Sequence, residues 1–175
     1  MTPSTDTGSP DRVPNMSVLD SPPATTPSIE HPSPFFVEIT ADEGETSRVV
    51  EHVSNVHFLR WLDRGAELHL DSAGWTRSDL LSRGLMWFVA RHEIDYIAEV
   101  LPGDQLYMAT WVRDLRRVKS WRDSVLWRIE DDEPRIVCTA STLWVLVLLE
   151  TRRPCTVPAD MAAALEPLHP TTTRT

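Results

Sequence analysis

Only two cysteines and six glycines occur among the 175 residues, and positive charge is scarce: 17 Lys plus Arg stand against 26 Asp plus Glu, a formal net charge of −9. Each shortage closes off a class of function. Cys138 and Cys155 fall in a strand-like run and a Pro-flanked loop, without CxxC or Cys/His ligand spacing, so neither a metal site nor a disulfide is expected. With so few basic residues the chain is poorly suited to a phosphate backbone, where binding draws on counterion release at a basic surface; no nucleic-acid partner is expected. No window approaches the roughly 18 consecutive apolar residues of a membrane span. No basic segment followed by an apolar run marks a secretory leader. The expectation is a cytoplasmic chain with no membrane partner and no cofactor.

What is present is enough apolar material, 41% of the chain, to bury one core. Residues 1–33 are dominated by Pro, Ser, Thr and Asp, which cannot offset the entropy of ordering, and are expected to form a flexible tail. Residues 169–175 read the same way, leaving 34–168 as a single domain. Within it, Phe35 to Thr40 is aromatic and β-branched and predicts a first strand. A long helix follows, with Val56, Leu59, Asp63, Ala66, Leu70 and Ala73 at helical spacing, Ser54 or Asn55 as cap and Gly74 as the left-handed stop. Four long strand-like runs come next, 85–99, 105–114, 119–130 and 135–149, punctuated by Pro102-Gly103-Asp104 and by Asp131-Asp132-Glu133-Pro134. A short helix from Ala159 to Leu165 ends the pattern. The expected class is α+β: a long central helix wrapped by a curved antiparallel sheet of about five strands. With seven tryptophans, the outer face of that sheet is expected to be covered by another subunit.

Five pieces in this order resemble a known family: His52-Val53-Ser54-Asn55 before Phe58-Leu59-Arg60-Trp61, then Glu93-Ile94-Asp95-Tyr96, Pro102-Gly103-Asp104, Trp144-Val145, and Arg152-Arg153-Pro154 leading to Val157-Pro158. They are similar to the "GHVNN…YLRW", "EIDY", "PGD", "WV" and "RP…IP" of hotdog-fold acyl-thioesterases, of the 4-hydroxybenzoyl-CoA and plant acyl-carrier-protein types. The similarity spans residues 35 to about 165. It implies a homodimer or homotetramer acting on an acyl-CoA or acyl-carrier-protein thioester, releasing a fatty or polyketide chain, in a tunnel at the subunit interface.

The resemblance also shows what is missing. The family's acid four positions before the histidine is Arg48 here, an accompanying Asn is Val50, and a strand cysteine falls near Ile94. Thioester hydrolysis needs an activated water and donors for the oxyanion. The helix start can supply the donors through the backbone of Val56 and His57. His52 and Asn55 stand beside them, Arg48 could attract a phosphate, and Trp61 could shape the pocket. Another branch of the family carries a helix glutamate, for which Glu67 is the candidate. His92, on a strand face shared with Phe88, Ala90, Ile94 and Tyr96, could act as base. Asn55 reads equally as a helix cap, Glu67 as a solvated residue and His92 as a core histidine. Glu51, His57 and His69 read as structural or exposed side chains, and residues 42–45 as a solvated turn. The missing acid leaves a second reading open, a hotdog protein that binds a carrier-bound chain or dehydrates or cyclises it.

Overall fold

The computed structural model describes residues 13–46 and 50–169. Its elements are β1 (Met16–Val18), β2 (Phe35–Thr40), α1 (Asn55–Ser72), α2 (Arg77–Ser82), β3 (Leu85–Tyr96), β4 (Gln105–Arg116), β5 (Lys119–Glu130), β6 (Glu133–Leu148), β7 (Arg153–Pro154) and α3 (Ala159–Ala164). The strands form one antiparallel sheet in the order β1-β2-β4-β5-β6-β3, with β7 on β6. That makes seven strands, where the sequence suggested about five. The sheet curls around α1, as expected.

The buried face of α1 is not the stripe that spacing alone suggested. Phe58, Trp61, Leu62, Gly65 and Ala66 are buried, while Val56 is 58% exposed. Two aromatic rings carry more apolar area than Val56 and Leu59, so they decide which side of the helix meets the sheet. Gly65 tightens the fit: a Cβ there would overlap Met108 Cε, the end of a flexible side chain that would have to move aside within a buried cluster. Phe58, Trp61 and Leu62 form one core with Val37, Leu106, Met108, Leu126 and Cys138. Each fully buried large side chain of this set stabilises the fold by about 1.5–3 kcal/mol. Burial pushes the Cys138 thiol up to about 12, and both cysteines are free.

A second core lies beyond the helix's far end, where Trp75 and Leu80 meet Leu115, Leu146, Val157 and Met161. Leu80 belongs to α2, a short helix in the stretch after α1 where the pattern suggests only sheet. Thr76 and Asp79 cap that helix reciprocally, Thr76 Oγ1 accepting from the Asp79 N–H and the Asp79 carboxylate from the Thr76 N–H.

The part of the expected tail from 13 to 33 is packed onto the domain. Met16, Ser17 and Val18 pair with Ile39, Glu38 and Val37. Further along, the Trp127 indole donates to the Thr25 carbonyl at 3.0 Å, His31 Nε2 lies 2.9 Å from the Glu166 carbonyl, and Ile29 packs on a cluster of Ala109, Trp111 and Trp127. The chain itself therefore covers part of the outer aromatic face assigned above to another subunit. Polar composition misled here because an extended segment satisfies its backbone on a sheet edge while contributing few side chains to the core.

In β3 the pairing slips between Val89 and Arg91, so the alternation expected of Phe88, Ala90 and His92 is broken. Trp87 joins the inner apolar cluster and His92 pairs beside Thr142, whereas Phe88 is 42% exposed. Among the described residues no helix is long and apolar enough to cross a membrane.

Candidate functional site at the central helix

Two cavities flank α1. The smaller, about 200 Å³, lies at the helix start and is lined by His52, Asn55, Phe58 and Tyr96, with residues 97–100 closing it. Backbone pairing fixes the chain there: the Val53 N–H donates to the Val100 carbonyl at 2.8 Å and the Ser54 N–H to the Glu45 carbonyl at 2.9 Å. Ser54 occupies the capping position but makes no side-chain cap bond, and Asn55 is the first helical residue. The cap role is therefore unfilled, and the Asn55 amide stands exposed at the cavity. Of the two backbone donors expected, the His57 N–H is engaged by the Ser54 carbonyl at 2.9 Å. The Val56 N–H meets no acceptor among the described residues. Arg48 lies outside the described residues.

Glu45, expected in a solvated turn, is buried. Its Oε2 accepts from the Asp42 N–H at 3.0 Å and its Oε1 from the Trp61 indole at 3.3 Å. His57 Nδ1 stands 3.6 Å from the same oxygen, too far for a hydrogen bond. Burial lowers the His57 pKa and outweighs the opposing Glu45 charge, with Arg60 adding a smaller lowering. This carboxylate braces loop against helix with both oxygens engaged. Trp61 is fully enclosed and lines neither cavity, so its expected place in the pocket is corrected to one in the core.

The larger cavity, about 310 Å³, runs along the middle and end of α1. Asp63 and Glu67 line it from successive helical turns, Arg77 from α2, and Ser120, Arg122 and Trp144 from the sheet. Glu67 is locked: Arg64 Nη1 donates to its Oε2 at 2.6 Å and Arg77 Nε to its Oε1 at 3.0 Å. Burial alone would raise its pKa, but the two guanidiniums outweigh burial and lower it. A carboxylate held this way is a weak proton acceptor.

Asp63, one turn earlier, differs. No donor among the described residues hydrogen-bonds it. It is open to water, yet the surrounding protein strips enough hydration to raise its pKa, and the Glu67 charge raises it further; Arg77 and His92 oppose. His92, on β3, acts on Asp63 through its charge without lining the cavity. Its Nδ1 lies 3.0 Å from Thr142 Oγ1, and burial lowers its pKa while Asp63 opposes. Asp63 and His92 thus form an electrostatically coupled pair between helix and sheet. The sequence reading had counted Asp63 only as part of a helix stripe, although the Asp63/Glu67 spacing of four was a legible sign of two acids on one face.

Deeper in, the helix-facing side of β5 is polar: Ser120, Arg122 and Ser124 are buried, with Leu126 following. Arg122 pairs across to Thr142, which in turn pairs to His92, so one row of the sheet carries all three. Arg122 Nη1 reaches His69 Nδ1 at 2.9 Å and donates to Thr110 Oγ1 at 3.2 Å. A guanidinium can only donate, so that imidazole nitrogen must be the unprotonated acceptor. Burial, with the charges of Arg122 and His31, accordingly lowers the His69 pKa to about 3. Among the described residues no three His, Cys, Asp or Glu side chains converge to hold a metal ion.

A family model described as the thioesterase-like superfamily matches residues 46–165. The chain belongs to this superfamily. Comparison with curated proteins gives no match. Among solved structures, a 1,4-dihydroxy-2-naphthoyl-CoA thioesterase from Synechocystis is similar at TM-score 0.68 and 19% identity, over 76% of this chain and 96% of that one. A 4-hydroxybenzoyl-CoA thioesterase mutant complexed with 4-hydroxybenzoyl-CoA is similar at TM-score 0.70 and 18% identity, over 75% and 97%. A DHNA-CoA thioesterase from Staphylococcus aureus is similar at TM-score 0.63 and 17% identity, over 69% and 78%. Likeness at these identities establishes the hotdog fold, which this thioesterase-like chain shares.

Proposed function

We propose that this superfamily member hydrolyses acyl-CoA thioesters with Asp63 as the general base. The observation that carries the reading is an unpaired carboxylate of raised pKa at a cavity, coupled to His92, while its neighbour Glu67 is tied up by two arginines. A carboxylate whose pKa is raised accepts a proton from water more readily than an ordinary one. Asp63 deprotonates the attacking water, and His92, anchored by Thr142, orients it. The oxyanion is met by the Val56 N–H at the positive end of the helix dipole, with His52 and Asn55 beside it. The activity in the names of the structural neighbours supports this, as does membership of the superfamily. CoA and acyl carrier protein present the same pantetheine thiol, so carrier choice is a matter for assays with both. Asp63 supplies the acid whose absence from position 48 had suggested a non-hydrolytic protein.

Val56 and Asp63 are seven residues apart on one helix, a separation of about 10 Å at 1.5 Å per residue. One carbonyl cannot meet both within a single chain. We therefore propose a homodimer in which a second copy pairs along β3, the strand that ends the sheet, and brings one helix start to the other chain's Asp63. Support comes from the exposed apolar side chains on and after that strand, Phe88, Val89, Tyr96 and Ile97.

Thiol release from a panel of aromatic and aliphatic acyl-CoA substrates tests the base. Asp63→Asn is expected to lower kcat by about 10²–10⁴-fold, the usual contribution of a general base, with little change in KM. Glu67→Gln should cost less than tenfold. If Asp63→Asn keeps wild-type turnover, the assignment is wrong.

A further inference from the structure

The interior of the curled sheet is polar at the place where an acyl group following Asp63 inward would come to rest. Arg122 is 6% exposed and lines the larger cavity, yet no carboxylate pairs with it among the described residues. None of the three acids along that cavity pairs with Arg122. Glu67 is paired to Arg64 and Arg77, while Asp63 and Asp71 interact with Glu67 and Arg77 and not with Arg122. The hydrogen bonds of Arg122 go through Nη1 alone, to a neutral imidazole and a hydroxyl. Burying a cation with only neutral partners is costly, and such groups are ordinarily paired. Ser120 is buried at the same wall, and Trp144 beside it holds an indole N–H without an acceptor among the described residues. Donors gather there with no anion to receive them. Desolvation lowers the Arg122 pKa only to about 10, so it is still a cation at neutral pH.

We propose that Arg122 receives a carboxylate borne by the acyl portion of the substrate, making the preferred substrate class the thioesters of dicarboxylic acids. This rests on the hydrolytic reading above and adds the chemistry of the acyl group to it. The carboxylate takes the donors that Nη1 does not use, and Ser120 adds a hydroxyl. Asp63 and His69, which holds Arg122, are six residues apart on α1, about 9 Å along its axis. The anionic end therefore lies several atoms beyond the thioester carbonyl. A saturated methyl-terminated chain would leave Arg122 desolvated and unpaired in the complex, which disfavours it.

The test compares CoA thioesters of the dicarboxylic acids from succinyl to suberyl with methyl-terminated acyl-CoA of equal chain length. Wild type is expected to favour at least one carboxylate-bearing member by tenfold or more in kcat/KM. Arg122→Met should abolish that preference, lowering kcat/KM for the carboxylate-bearing members far more than for the methyl-terminated series. Circular dichroism and thermal unfolding confirm that the variant is folded, and Arg122→Lys should keep part of the preference. Equal or reversed preference in wild type overturns the proposal and leaves hydrolysis standing. Binding is read separately, by thermal unfolding with adipamic acid against neutral adipamide. Stabilisation by the acid alone, lost in Arg122→Met, supports the anion site even if no thioester is cleaved, in which case only the hydrolytic reading fails. Equal effects of acid and amide overturn the site.

Discussion

Acidification should unfold this protein through one histidine. His69 Nδ1 must accept from the Arg122 guanidinium, so protonating it would set two cations donor to donor in a partly buried site. Its folded-state pKa falls to about 3, against 6.5 for a free imidazole. Below pH 6.5 the unfolded chain therefore takes up a proton that the folded chain refuses. The contribution is fully present above pH 6.5 and is lost as pH falls toward 3, at up to about 1.4 kcal/mol per pH unit. Between pH 7 and pH 5 the loss is about 2 kcal/mol, a sizeable part of the roughly 5–15 kcal/mol that holds a domain together. With a urea slope of about 1–3 kcal/mol per M, the unfolding midpoint should drop by about 1 M. Urea titration read by the fluorescence of the seven tryptophans measures it. Other groups add to the pH dependence: His57 and His92, whose pKa values burial lowers, act in the same direction, and Asp63, whose pKa is raised, acts oppositely. The informative quantity is the difference from His69→Gln, whose amide oxygen can still accept from Arg122 but does not titrate. The variant should lose about 2 kcal/mol less than wild type over the same interval. Equal losses in both would refute the donor argument.

Two further outcomes follow from packing. Gly65→Ala should cost up to about 2 kcal/mol net, the overpacking against Met108 Cε exceeding the roughly 1 kcal/mol of helix propensity gained; Met108→Val, which removes that atom, should recover part of the cost in the double variant, and simple additivity of the two losses would count against the contact. Val89→Lys, placed on the exposed end strand β3, should shift sedimentation from dimer to monomer and lower thioester turnover together; an active monomer would sink the shared-site proposal.

The sequence carried the scaffold better than the site, for reasons visible in particular residues. α1 and the four long strands were legible because their apolar periodicity is strong and their ends are marked by Gly74, Pro102-Gly103-Asp104 and the acidic turn before β6. The face of α1 was less legible, since Gly65 looks like a weak helix residue until Met108 is seen against it. α2 had a readable capping pair at Thr76 and Asp79 but only one residue that reaches the core, Leu80. The N-terminal segment was unreadable by composition, because it is held by backbone pairing to β2 and by the Thr25 carbonyl under Trp127.

The polar interior is not legible from alternation alone. In β5 Trp121, Val125, Trp127 and Ile129 share one side of the strand and Ser120, Arg122 and Ser124 the other, a pattern that ordinarily puts the polar set in solvent. The sheet buries the intervening set against α1 while the chain's own N-terminal segment covers Trp127 on the other face. Alternation gives two faces without saying which is inside when both are covered. What decides between them is non-local: His69 arrives from α1 to meet Arg122. A hotdog protein with an apolar acyl pocket would have no use for a guanidinium there, since every methylene bound beside it would leave the charge more thoroughly desolvated. In the proposed complex Arg122 constrains the acyl group more tightly than any residue at the helix start, which would meet only the thioester common to all substrates.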